Sequence, residues 1–253
     1  MTSAADGPEI PVVPPGEHEL PCSDGEPMET NRHRQQMVLL IQSLKRAWAD
    51  RHDYFAGGNM FVYYSETQVK KNDFRGPDVF VVLDTTDRDR LSWVAWGEDG
   101  KLPNVVIELL SDRTRHIDKG EKVQIYARWR VSTYILYDPL SHELMGFEFV
   151  GSAREFTPIE PDERGDLRCP ILGFKVGLRE GNYEGVHTQW LRWLDADGNP
   201  LPTTEEQAEA EHARAEAEHA RAEAEHARAE AEHARAEAAE QRAAELEAKL
   251  RGG

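Results

Sequence analysis

Residues 104 to 138 constrain the fold more than any other stretch of the chain. In Asn104-Val-Val-Ile-Glu-Leu-Leu110, apolar residues nearly fill the run on both sides of a single carboxylate, so it reads as a strand buried on both faces. Glu108 is therefore interior, and a buried carboxylate needs a partner. A polar turn follows, then a helix expected over 117–130 that carries Asp118 and Lys122, then a second apolar run, Thr133-Tyr-Ile-Leu-Tyr-Asp138. Two buried strands joined through a helix make a crossover unit, the connection that parallel pairing requires.

The flanking elements extend this unit into a layered domain. Met37, Leu40, Ile41, Leu44 and Trp48 recur at helical spacing, which predicts a helix of about five or six turns. Beta-type runs follow at 54–64, 78–84 and 92–96, and beyond Pro139 at 144–150, 154–159 and 171–178, with Trp190–Leu194 closing the domain. The order predicts an α/β fold with a mixed β-sheet flanked by helices. Residues 1–27 are rich in Pro, Gly, Asp and Glu and read as a disordered acidic arm; 28–202 form the domain; 203–253 are a low-complexity heptad-repeat helix.

Charge is uneven along these segments. Of the net −17, residues 1–29 supply seven acids and no Lys or Arg, and residues 203–253 supply fourteen acids against seven bases, which leaves −3 for the middle. The ends thus carry most of the repulsive field, and no strongly basic stripe marks a nucleic-acid footprint. Cys22 and Cys169 lie far apart without metal-ligand spacing, so neither a disulfide framework nor a zinc site is expected, and a reducing cytoplasm is the expected compartment. No signal peptide or membrane-spanning run is present, so no membrane partner is expected. Acyl transfer and nucleotide-cofactor chemistry lack their signatures, since there is no G-x-S-x-G, P-loop or G-x-G-x-x-G.

In the tail, Ala210-Glu-His-Ala-Arg-Ala-Glu216 repeats unchanged as 217–223, 224–230 and 231–237. Alanines on alternating three and four spacing form a coiled-coil-like stripe, but alanine buries little area, so pairing through it is expected to be weak. Arg214 has Glu211 three before it and Glu218 four after, so a solvated single helix laced by side-chain pairs fits equally well. Homo-oligomerisation through the tail stays open. The histidines His212, His219, His226 and His233 lie seven apart, on one helix face, and read as solvated repeat sequence.

The chemistry-bearing residues cluster in the domain. Metal-dependent phosphodiester hydrolysis needs carboxylates for a divalent cation and a group that positions the attacking water. Asp78 heads one strand, Glu108 sits inside another, and Lys122 lies on the helix that follows, four residues after Asp118 and on the same face. If the two strands are neighbours, Asp78 and Glu108 converge. Glu29 and His33, four apart at the start of the first helix, are auxiliary candidates for an outer ligand, although an acid at a helix start also simply favours the macrodipole. Asp118 is a third auxiliary candidate, for ordering Lys122, while Tyr126, Tyr134 and Asp138 read as core or turn residues.

Arg75-Gly-Pro-Asp78-Val-Phe-Val-Val, Pro103-Asn-Val-Val-Ile-Glu108-Leu-Leu-Ser111, Asp118-Lys-Gly-Glu-Lys122-Val-Gln-Ile-Tyr126 and Val131-Ser-Thr-Tyr134-Ile-Leu-Tyr-Asp138-Pro together resemble the Uma-two family of restriction-endonuclease-type proteins, within the PD-(D/E)XK nuclease superfamily. Pro27-Met-Glu-Thr-Asn-Arg-His33 adds to the likeness, which spans roughly 28–202. The resemblance implies a restriction-endonuclease-like core, with Asp78 and Glu108 as metal-binding acids and Lys122 as the catalytic lysine. It implies Mg²⁺ as cofactor, with Mn²⁺ as an alternative, and DNA as substrate, cleaved to leave a 5′-phosphate and a 3′-hydroxyl. Leu110 stands where the superfamily usually has its lysine, and the implied relocation is to Lys122. Ser111-Asp-Arg-Thr114 replaces the family's usual Ser-Pro-Ser-Thr, a departure that bears on substrate contacts. A catalytically silent module that keeps the fold for nucleic-acid or protein interaction, with the tail as an oligomerisation arm, is the rival expectation.

Overall fold

A computed structural model describes residues 14–22, 30–65, 76–111, 115–151 and 154–251, side chains 245–250 excepted. The chain divides into two units, one up to Thr203 and one from Thr204. In the first, helix α1 (Asn31–Ala47) precedes β1 (Tyr54–Gly57), β2 (Val62–Tyr63), β3 (Val79–Leu83), β4 (Trp93–Val94) and β5 (Val105–Leu109). A short helix α2 (Arg115–Asp118) and helix α3 (Glu121–Trp129) lead to β6 (Thr133–Tyr137), β7 (Leu144–Val150) and β8 (Glu155–Pro158). Then come β9 (Leu167–Cys169), β10 (Phe174–Tyr183) and β11 (Val186–Leu194).

Six strands form one mixed sheet in the order β1-β3-β5-β6-β7-β8. As the sequence predicts, β5 and β6 pair in parallel across the α2–α3 connection, whereas β1–β3, β3–β5, β6–β7 and β7–β8 are antiparallel. Side-chain alternation sorts the core into two layers. Val79, Val81, Val105, Ile107, Leu109 and Ile135 face α1 and the small β9–β10–β11 sheet, while Phe80, Val82, Val106, Leu110, Tyr134 and Leu136 face α3. Burying each such side chain contributes about 1.5–3 kcal/mol before the entropic cost of ordering it.

Local signals fix the helices. Thr30 caps α1 by accepting the His33 main-chain N–H, and Lys45 and Arg46 sit in its last turn, where cations complement the helix dipole. Leu39, Leu40 and Leu44 are its buried stripe, and the Gln36 amide exchanges two hydrogen bonds, 2.9 and 3.0 Å, with the Leu191 backbone of β11. The helix expected over 117–130 is broken in two. Lys119 and Gly120 form a turn between α2 and α3, and a Cβ at Gly120 would stand 2.8 Å from the His116 carbonyl oxygen. The final hairpin is longer than expected, because β10 continues through Tyr183 and pairs with β11 along its length.

The loose acidic arm expected over 1–27 does not describe residues 14–22, which are packed against the domain. Trp96 Nε1 donates to the Pro15 carbonyl at 3.0 Å, Tyr63 OH donates to the Pro21 carbonyl at 2.6 Å, and Leu20 is buried with Phe61, Tyr63 and Val94. Arg88 adds ion pairs to Glu17 at 2.8 Å and Glu98 at 2.7 Å. The second unit is one 48-residue helix, α4 (Thr204–Arg251). Among the described residues, no helix is long and apolar enough to cross a membrane.

The Gly57-Gly58 break after β1 has a steric cause. A Cβ on Gly58 would run into the main-chain carbonyl oxygen of Asp78, and the neighbouring Asn59 N–H donates to the Pro77 carbonyl at 3.0 Å. Gly58→Ala is therefore expected to destabilise the domain by about 1–3 kcal/mol, as overpacking does. Urea unfolding checks it through a lower midpoint at unchanged slope.

Candidate functional site

The β3–β5 register assembles the site. Val79 pairs with Ile107 and Phe80 with Val106, so one step further out Asp78 stands opposite Glu108. Both have the parity of the face that meets α3. Asp78 is half-buried, and its Oδ2 accepts the Leu109 main-chain N–H at 2.7 Å. Glu108 is 1% exposed. Its Oε1 accepts from Tyr126 OH at 2.6 Å and pairs with Lys122 Nζ at 2.9 Å. Lys122 Nζ also lies 2.8 Å from Oδ1 of the buried Asp118. Both Lys122 contacts are ion pairs; Glu108 Oε1 has the Tyr126 hydroxyl besides, whereas Asp118 Oδ1 has the ammonium alone and is the less satisfied end of the clamp. Tyr134 OH donates to the Asp118 carbonyl at 3.0 Å and holds the end of α2 against β6.

Asp78, Glu108, Lys122 and Asp118 thus form one cluster, three carboxylates around one ammonium. Burial pushes Glu108 up to about 8, with the like charges of Asp78 and Asp118 adding to it and Lys122 and Tyr126 opposing. Burial also raises Asp78, against the pull of Lys122 and the Leu109 N–H. For Lys122, burial disfavours the ammonium, but Glu108, Asp118 and Asp78 outweigh it and hold the group charged. One oxygen of each facing carboxylate, Asp78 Oδ1 and Glu108 Oε2, receives no N–H or ammonium donor from a described residue.

The auxiliary candidates fare differently. His33 is buried, with Nδ1 at 2.7 Å from Thr30 Oγ1 and Nε2 at 3.2 Å from the Leu110 carbonyl. Both ring nitrogens are engaged, and His33 ties the start of α1 to the end of β5. Glu29 and residues 112–114 of the divergent loop lie outside the described residues. Asp138 accepts the Leu140 and Ser141 N–H groups at 2.8 and 3.1 Å, a turn role, and also pairs with Arg115. Tyr126 belongs to the site, although an aromatic on a helix reads as core. Its readable signal is spacing, for Asp118, Lys122 and Tyr126 follow one another at four-residue steps.

The raised carboxyl group makes a testable signature. A carboxyl whose folded value lies above its ordinary 4.5 stabilises the fold fully below that value, and the contribution is lost as pH rises through about 8. Without divalent cation, stability is expected to fall between pH about 5 and about 8, and Glu108→Gln to flatten that slope. Urea midpoints across the range check this; an equal fall in the variant removes Glu108 as its source.

Comparison with known proteins bears on the class. No curated protein matches the chain. Among solved structures, a crystal structure described as that of a putative nuclease from Anabaena variabilis matches with a TM-score of 0.41 and 14% sequence identity, covering 59% of this chain and 80% of that one. A family model described as "Putative restriction endonuclease" matches residues 10–179. By that match the chain belongs to the Uma2 family of nucleases, the family its strand and helix motifs resemble.

Proposed function

We propose that the protein is a metal-dependent endonuclease that hydrolyses DNA phosphodiester bonds, with Mg²⁺ as its cation and Mn²⁺ as an alternative. The observation that carries this reading is the meeting of Asp78, Glu108 and Lys122 in one cluster around the buried Glu108, in a chain of a nuclease family. The donor set fits a hard cation. Two carboxylates face each other, each with an oxygen free of N–H and ammonium donors, and Mg²⁺ characteristically takes one or two protein carboxylates while keeping several waters. Asp78 and Glu108 would hold the ion, which supplies polarisation of a phosphate oxygen and a lowered pKa for bound water.

The chain's own groups do the rest. The Leu109 N–H fixes the rotation of Asp78, and the Tyr126 hydroxyl fixes that of Glu108. Lys122 carries a full positive charge and ammonium protons. In this reading it orients the attacking water and offsets negative charge developing on the phosphate, and it does not accept the water's proton.

One observation favours a second reading, a catalytically silent module. The ion pairs of Lys122 with Glu108 and Asp118 leave the cluster partly self-neutralised without any cation. Plasmid nicking with Mg²⁺ or Mn²⁺ separates the two. Asp78→Asn, Glu108→Gln and Lys122→Met are each expected to lower the rate by about a hundredfold or more, with far-ultraviolet circular dichroism confirming the fold. Nicking undiminished in all three variants removes the site; no nicking by any folded form favours the silent module.

A further inference from the structure

The tail carries its own instruction for a partner, one independent of the nuclease reading. Alanines at 210, 213, 217 and 220 recur at alternating steps of three and four, and only one heptad frame fits them, with 210 at position a and 213 at position d. That frame places Arg214, Arg221, Arg228 and Arg235 at position e and Glu216, Glu223, Glu230 and Glu237 at position g. The seam by itself selects no partner, but the charges beside it do. In a parallel pair, position g of one helix meets position e of the next heptad on the other, so Glu216 meets Arg221 of a second copy. In an antiparallel pair e meets e and g meets g, which sets arginine on arginine and glutamate on glutamate.

The isolated helix leaves the arginines at position e available. Its side chains are exposed along the repeat. The carboxylates at position g pair within their own chain with His212, His219, His226 and His233, at 3.5–3.6 Å. No ion pair is found for Arg214, Arg221, Arg228 or Arg235 among the described residues, so the lacing of arginines to Glu211-type and Glu218-type neighbours that the sequence allows is not formed.

We propose that α4 is a self-recognition element that pairs two copies of this chain in parallel and in register through reciprocal Glu–Arg contacts beside a close-packed alanine seam. Register follows from overlap. A slip of seven residues keeps the charge code but loses a heptad of contacts, so the unshifted pair keeps the most.

The experiment uses the full chain. Sedimentation velocity over a concentration series is expected to show monomer–dimer exchange. One variant carries Glu216→Arg, Glu223→Arg, Glu230→Arg and Glu237→Arg; a second carries Arg221→Glu, Arg228→Glu, Arg235→Glu and Arg242→Glu, the positions that meet them. Each alone is expected to dimerise on the order of a hundredfold more weakly, from eight contacts turned repulsive, and the equimolar mixture to recover a heterodimer. Orientation is read by Ala213→Cys in a Cys22→Ser background, which cross-links on oxidation only if the same position meets itself. A chain that stays monomeric, a dimer unaffected by either charge set, a mixture that fails to recover, or a dimer that Ala213→Cys does not cross-link each overturns the proposal. Helix content by circular dichroism distinguishes lost pairing from a tail that no longer forms.

Discussion

Two carboxylates held opposite each other across an antiparallel ladder set the terms for the rest of the domain. Strand register fixes Asp78 and Glu108 on the same face, and the low dielectric between β-sheet and α3 makes their repulsion expensive. The surrounding residues answer that constraint. Lys122 supplies the countercharge, Asp118 braces Lys122, Tyr126 donates to Glu108, and the Leu109 N–H donates to Asp78. A one-residue slip of β3 would send Asp78 to the α1 face and dismantle the cluster while leaving the apolar residues of β3 still buried. Gly58 guards against this from the other side, since its missing side chain lets the β1 turn close on the Asp78 main chain.

The positions of these groups follow from rigid elements. Glu108 lies within a central strand with pairing on both sides, and Lys122 lies on a helix whose Ile125, Tyr126 and Trp129 are buried in the α3-side core. Leu110, two residues after Glu108 and on the same face, belongs to that same core and is fully buried. A lysine there would have to surrender a packed apolar position. Four-residue spacing on the helix brings Lys122 to the same carboxylate from above, so the charge arrives without taking space from the sheet.

Much of this was legible in the residues because it rests on periodicity. The apolar run around Glu108 marks an interior strand, the crossover marks its parallel neighbour, and the four-residue step from Asp118 to Lys122 marks their meeting, though on two helices and not one. What was not legible has physical reasons. Tyr126 hides among aromatics because only its hydroxyl, not its ring, joins the site. The break at Gly120 hides because Asp118 and Lys122 stay within 2.8 Å across it. The far half of β10 hides behind Arg179, Glu180, Gly181 and Asn182, whose solvent-facing and turn-like character masks a strand that its partner β11 holds in place.

The segment at 14–22 escaped for a different reason, and that reason reaches beyond folding. Two of its grips are on the main-chain carbonyls of Pro15 and Pro21, taken by the indole of Trp96 and the hydroxyl of Tyr63. A carbonyl is the same acceptor whatever side chain accompanies it. Those two positions are therefore held to a path and not to an identity, and their residues are free to drift so long as the chain keeps its turn at 17–19. At those two grips the specificity is stored in the aromatic donors of the domain, while Leu20 and Glu17 are read by their own side chains.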